Sequence, residues 1–349
     1  MNLEETLVSL VDIPSPTGFE GRLCTAVATR LMRVRGETAV KRVANSLVVG
    51  EATGRPLVLL VGHLDTVPPQ GQGPAKIEDG RLSGLGSADM KGGVAVMIHL
   101  LEDPLVRTGH YDVVGIFYEG EEGPADGNAL EPILNRLDWL QDAEFAVVLE
   151  PSDSEIQLGC NGVVNAEVTF TGKAAHSARP WWGENAIAKA APWIDRVGSI
   201  APKSVVVEGL EFKEVMSITR ASGGIANNVI PAEFVLNLNY RFSPGRTVDE
   251  AIAAVLSVCE GADRVEISDS APAGPVDASH PLVDGIRSVS GASLAPKQGW
   301  TDVARLGLYG IPAINYGPGE AFHAHKADES VALADLTAIH ACLQTVLGS

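Results

Sequence analysis

Apolar residues follow two rhythms along the chain. Up to about residue 150 they come in short unbroken runs: SLVVG from Ser46, PLVLLVG from Pro56, YDVVGIFY from Tyr111 and AEFAVVLE from Ala143. Runs of that length read as strands buried on both faces. Helical spacing marks Leu3 to Val11, a stretch from about Phe19 to Val34, MKGGVAVMIHLLED and NALEPILNRLDWL, and the turn-rich PSPTG separates the first two. Strands alternating with helices predict a mainly parallel sheet covered on both sides.

The texture changes near Gly162. VVNAEVTFTG and EFVLNLNYRFS alternate apolar and polar residues, as strands with one wet face do, and ENAIAKAAPWIDRV and TVDEAIAAVLSV have helical spacing. After about Pro272 the first texture returns in TDVARLGLYG and IPAINYG, with a final helix expected from Val331 to Leu347. The expected organisation is an α/β catalytic domain, residues 1–161 and 273–349, interrupted by an α+β insertion over 162–272. No internal repeat is visible.

Composition narrows the function. With 26 Lys and Arg against 44 Asp and Glu, the net charge of −18 argues against a nucleic-acid or anionic-membrane surface. The start, MNLEETLVSL, is acidic where a secretory leader is basic, and no apolar run approaches the roughly 20 residues of a membrane span, so a cytoplasmic protein is expected. Cys24, Cys160, Cys259 and Cys342 lie far apart, without the spacing of a disulfide framework or a thiolate zinc site.

In an open α/β sheet, ligands sit at the carboxyl ends of the strands. PLVLLVG ends in His63 and Asp65, YDVVGIFY in Glu119, Glu121, Glu122 and Asp126, and AEFAVVLE in Glu150. Asp89 precedes a helix in SGLGSADMKGG, and AFHAHKADES puts His323 and His325 before the last helix. Clustered carboxylates repel one another unless something positive stands before them. Imidazoles and carboxylates without thiolates suit zinc, manganese or cobalt, with zinc the default. Three carboxylates, Asp89, Glu122 and Glu150, together with a hydroxide would balance two divalent ions. One Glu of the pair can then bind metal while the other moves protons. Positions i and i+2 of a strand face the same way, so Asp65 can hold the second nitrogen of His63. Gly84-x-Gly86 is followed by Asp89 at the third position, so a dinucleotide fingerprint fails. His323 reads as a bystander, His99, His110, His280 and His340 as packing or surface residues, and Trp181–Trp182 as a loop patch on the insertion.

In this order, GHLDTV, GLGSADMKGG, GEEG, LEPS and AHKADE resemble the aminoacylase/carboxypeptidase G-like dizinc metallohydrolases, over essentially the whole chain. More narrowly, GCNGVVNAEVTFTGKAAHSARPWWGENAIAKAA, SGGIANNVIPAEFVLNLNYRFSP and GWTDVARLGLYGIPAINYGPG look like the actinobacterial succinyl-diaminopimelate desuccinylases. The resemblance implies two zinc ions, replaceable by cobalt or manganese. His63 and Glu150 would hold one, Glu122 and His325 the other, and Asp89 would bridge them. It further implies Glu121 as general base, Asp65 as the partner of His63, and a cis peptide at Asp89–Met90. The insertion would be a dimerisation lid whose His176 serves the partner subunit of a homodimer. Arg179, Asn228, Arg241 and Thr301 would bind the substrate, an acyl-amino acid.

The implied reaction converts N-succinyl-LL-2,6-diaminopimelate and water to succinate and LL-2,6-diaminopimelate. Acetylornithine deacetylase and dipeptidase or carboxypeptidase activities are alternatives within the family. A non-catalytic metal scaffold is the alternative outside it, and an intact Glu121 speaks against that. The chain departs from its relatives at Gly120, where many have Asp.

Overall fold

The computed structural model describes residues 1–349. They divide into two compact units: 1–159, 276–297 and 301–349 form the first, 160–275 and 298–300 the second. Relative to the expected boundaries, the insertion starts two residues earlier, ends three residues later and also takes in Gln298–Trp300.

The first unit is built on an eight-stranded sheet. Its order is Val40–Val43, Ser46–Val49, Asp112–Tyr118, Leu57–His63, Phe145–Pro151, Ala313–Gly317, Ile156–Leu158 and Leu294–Pro296. The four central strands, from Asp112–Tyr118 to Ala313–Gly317, run parallel, and every residue in them is buried. Their neighbours Ser46–Val49 and Ile156–Leu158 pair with them antiparallel. SLVVG shares the unbroken apolar pattern of the parallel strands, but it pairs antiparallel with both Val40–Val43 and Asp112–Tyr118. An apolar run reports burial on both faces and carries no information about direction.

The helix Lys91–Glu102 lies close on this sheet. A Cβ at Gly93 would come within 2.2 Å of the Leu149 carbonyl oxygen, so only glycine permits the approach. Leu59, Val61, Val114, Ile116, Val148, Leu134 and Leu306 are among the core residues. The final helix begins at Leu333 rather than Val331, because Ser330–Ala332 pairs with Arg81–Ser83 in a separate three-stranded sheet. Strands of three residues are too short to show a period. NALEPILNRLDWL is likewise interrupted: the α-helix covers Leu130–Arg136 and a 3₁₀ turn follows over Asp138–Asp142.

The second unit is a two-layer α+β structure. Its antiparallel sheet has the order Lys203–Val207, Leu210–Gly223, Glu233–Phe242, Gly162–Thr171 and Arg264–Ala271. Along Glu233–Phe242 buried and partly exposed residues alternate, as the sequence pattern requires. The buried positions pack with Trp193 and Val197 of helix Ala186–Gly198 and with Ala251 and Val255 of helix Val248–Val258. All four cysteines are free and buried, and no helix is long and apolar enough to cross a membrane.

Candidate metal centre

The candidate residues of the first unit are set by where its parallel strands stop. His63 ends its strand level with Tyr118, and the Leu64 amide donates to the Tyr118 carbonyl at 2.7 Å. The two chain exits therefore lie side by side. Asp65 joins them: its carboxylate accepts from the amides of Glu121 at 3.0 Å and Glu122 at 2.9 Å, and from the Thr17 hydroxyl at 2.9 Å. His63 Nδ1 lies 2.9 Å from the Asp65 carbonyl oxygen and 3.5 Å from its carboxylate. The carbonyl is thus the nearer partner, because the strand ends at His63 and the alternation that would stack the Asp65 side chain on the ring ends with it. An Nδ1–H donating to that carbonyl leaves Nε2 as the coordinating nitrogen.

The loop after Tyr118 folds back tightly. Gly120 has φ +82°, and a Cβ there would fall 2.2 Å from the Gly127 carbonyl oxygen. Only glycine fits this position in this loop. The Ala129 amide donates to the Glu119 carbonyl at 3.0 Å, and Arg305 Nη2 donates to the Ala125 carbonyl at 2.9 Å. Beneath the loop, the buried Asp302 carboxylate accepts from the Tyr118 hydroxyl and from Asn128 Nδ2, and pairs with Arg305 Nε at 2.9 Å.

Five side chains converge above this base. His63 Nε2 lies 3.1 Å from Asp89 Oδ1 and 3.5 Å from Glu150 Oε1. His325 Nε2 lies 3.0 Å from Glu122 Oε1 and 3.3 Å from Asp89 Oδ2. The two oxygens of Asp89 thus face two different imidazoles. Two sets of ligand atoms, His63–Asp89–Glu150 and Asp89–Glu122–His325, each lie within 4.8 Å of one another, a spacing that could hold a metal ion, and they share Asp89. A third set, His63–Glu121–Glu122, meets the same spacing. The Asp89–Met90 peptide is cis, and His325 sits in the left-handed region at φ +61°, rare for a residue other than glycine. His323 stands apart from the five, with Nε2 3.2 Å from Glu320.

The electrostatics are those of a cation trap. Burial pulls the His63 imidazole down, yet hydrogen bonds to Asp65, Asp89 and Glu150 raise it well above its usual range. Asp89 and Glu122 push His325 up to about 11. Burial raises Asp89, and the two imidazoles more than reverse that and hold it far below the carboxylate range. The protons so held on the Nε2 atoms are the ones a metal ion would displace. Burial pushes Glu121 well above the carboxylate range; His63 opposes the rise, and Glu150, Asp302 and Glu122 add to it.

Of the remaining predicted residues, Thr301 belongs to the first unit and the others to the second. In the second unit, His176 bridges Val229, its Nδ1 accepts from the Ala178 amide at 3.0 Å, and the Ser177 amide donates to the Asn228 carbonyl at 2.9 Å. Arg179 follows, its guanidinium 5.1 Å from the centre of the Trp182 ring. Arg241 is far from this group. The His176 loop continues the strand end where Thr171 pairs with Glu233, whereas Arg241 pairs with Val163 and Val215 near the other end. The rise along that strand is about 26 Å from Glu233 to Arg241 at roughly 3.3 Å per residue. Thr301 is buried in the first unit, next to Asp302.

Sequence reasoning missed Asp302, Tyr118 and Glu329. Glu329 accepts from the amides of Gly86, Ala88 and Asp89 at 2.8, 2.9 and 3.0 Å. Its one signal was its place at the end of AHKADE.

Residues 59–349 match the model of the peptidase family M20/M25/M40. The chain is 37% identical over 350 residues to the succinyl-diaminopimelate desuccinylase of Corynebacterium glutamicum, covering 97% of this chain and 94% of that one. A Mycobacterium tuberculosis protein provisionally named as the desuccinylase DapE is 38% identical over 347 residues, covering 99% and 97%. A Staphylococcus aureus tripeptidase structure shares the fold with a TM-score of 0.79 at 22% identity, covering 99% and 97%. Matched over most of its length by the family model, and over nearly all of it by these relatives, the chain belongs to peptidase family M20/M25/M40.

Proposed function

We propose that this protein is a metal-dependent amide hydrolase that cleaves N-succinyl-LL-2,6-diaminopimelate into succinate and LL-2,6-diaminopimelate. The observation that carries the reading is Asp89, whose two oxygens face the imidazoles of two ligand sets at 3.1 and 3.3 Å, with Glu121 among the neighbouring acids. The donors are imidazole and carboxylate only, which fits two divalent ions, zinc first. His63 and Glu150 would hold one, Glu122 and His325 the other, with Asp89 offering an oxygen to each. When bound, the ions polarise the scissile carbonyl and lower the pKa of the attacking water.

The protein's own part is to move a proton and to place the substrate. Glu121 takes the proton as the water oxygen bonds to the amide carbon. It returns that proton to the nitrogen when the C–N bond breaks, so the amine leaves neutral. Burial raises the Glu121 carboxyl, which favours its taking up a proton. Asp65 fixes the amides of Glu121 and Glu122 and, through its carbonyl, the His63 ring. His176 donates to the oxyanion. Arg179, Asn228, Arg241 and Thr301 read the carboxylates at the ends of the substrate, bidentate arginine contacts favouring succinyl over acetyl.

Within one chain the His176 loop and Arg241 lie toward opposite ends of the Glu233–Phe242 strand. This supports a homodimer in which His176 and Asn228 serve the partner's substrate. A zinc-supplemented assay run in parallel on N-succinyl-diaminopimelate, N-acetylornithine and a dipeptide tests the reading. The succinylated substrate is expected to be turned over fastest, and preference for either of the others overturns the substrate assignment.

A further inference from the structure

Glu329 follows His325 by four residues and is 2% exposed. Its Oε1 accepts from the amides of Ala88 at 2.9 Å and Asp89 at 3.0 Å, and Oε2 accepts from the Gly86 amide at 2.8 Å. Its backbone carbonyl takes the Gly84 amide at 3.1 Å. The rest of the turn closes on itself: Ser87 donates to Gly84 and Lys91 to Gly86. Glu329 thus holds most of the turn that carries Asp89, including the amide of Asp89 itself, and ties it to the segment that carries His325.

A buried carboxylate is costly unless its oxygens are hydrogen-bonded, and here backbone N–H groups supply the bonds. The demand on this turn is geometric. Asp89 must direct each oxygen at a different imidazole, and such an arrangement tolerates displacements of only about 0.5 Å. Asp65 treats the Glu pair in the same way, binding the amides of Glu121 and Glu122.

We propose that Glu329 is a positioning residue for metal binding: it fixes the orientation of Asp89 and its separation from His325, and so sets the affinity for both ions. The inference rests on the metal reading above. Its test is calorimetric titration of the metal-free protein with zinc, comparing wild type, E329Q and E329M, alongside the thermal midpoint of each metal-free form. Glutamine keeps one acceptor oxygen, so Ala88 and Asp89 stay bonded while the Gly86 amide faces an NH₂ group. Methionine removes all three bonds.

Zinc affinity is expected to fall about 10-fold in E329Q and about 100-fold in E329M, with the midpoint of metal-free E329Q within a few degrees of wild type. Wild-type zinc affinity in E329Q, with or without a lowered midpoint, overturns the positioning role and leaves the metal reading standing. A wild type that takes up no zinc overturns the metal reading itself. If E329M does not fold, E329Q against wild type decides the question.

Discussion

Glu150 and Glu214 are equally buried, each 6% exposed, yet their surroundings differ in kind. Glu214, in the inserted unit, meets Arg246 Nε at 3.1 Å, Lys203 Nζ at 3.7 Å and the Ser243 hydroxyl at 2.9 Å. Glu150, on the rim of the parallel sheet, faces His63 at 3.5 Å, and the ion-pairing partners of Asp89 and Glu122 are likewise imidazoles. Around Glu214 the fold itself supplies the compensating arginine and lysine. Where acids gather with only imidazoles between them, the missing positive charge comes from outside the chain. The contrast separates a structural charge cluster from a binding one without reference to any relative.

Replacing one member on each side sharpens the contrast. Glu121→Gln removes the proposed proton carrier while keeping shape and is expected to lower kcat by about 10²–10⁴-fold. Its zinc content, measured by elemental analysis, should stay at the wild-type value. Near-normal turnover would remove Glu121 from the role.

Arg246→Met strikes the other cluster. It leaves Glu214 with a distant lysine and a hydroxyl, and because Arg246 is partly exposed the expected loss is about 1–2 kcal/mol of stability. Chemical denaturation reads this loss, and zinc affinity should not move. A change in zinc affinity with unchanged stability would erase the distinction between the clusters.

The smallest effect is a pH slope. Burial raises the Glu214 carboxyl, but the Ser243 and Arg246 hydrogen bonds more than compensate and hold it below its ordinary value. A folded-state pKa below the unfolded one contributes stability above the unfolded value, near pH 4.3, that is lost as pH falls further. Glu214→Gln should therefore flatten the fall in thermal midpoint below about pH 4.5, and an unchanged slope would contradict the assignment.

The legible part of the site is the part that strand ends determine. His63, Glu121, Glu122 and Glu150 follow apolar runs, so burial and topology place them at one rim before any coordinates are known. Asp89 and His325 lie in loops, and there the resemblance of GLGSADMKGG and AHKADE to family motifs pointed to them. What stayed illegible depends on backbone hydrogen bonding. In sequence, Glu329 looks like any other acid after a histidine, because nothing local says which distant amides its oxygens will meet. The carboxylate of Asp65 shows the same limit: the i, i+2 rule places it beside His63 Nδ1, 3.5 Å away, but says nothing of the Glu121 and Glu122 amides from which its oxygens also accept. Gly120 is a similar case: the requirement for glycine comes from the Gly127 carbonyl, which only the folded loop brings close. The three-residue strands around Arg81 and Ser330 fall below the length at which any period can be read.

Anomalous diffraction at the zinc edge, from crystals grown with zinc, tests the central claim most directly. Two peaks per chain are expected, each about 2.0–2.2 Å from a different oxygen of Asp89, one also bound by His63 and Glu150 and the other by Glu122 and His325. A single peak, or peaks that do not share Asp89, would contradict the account.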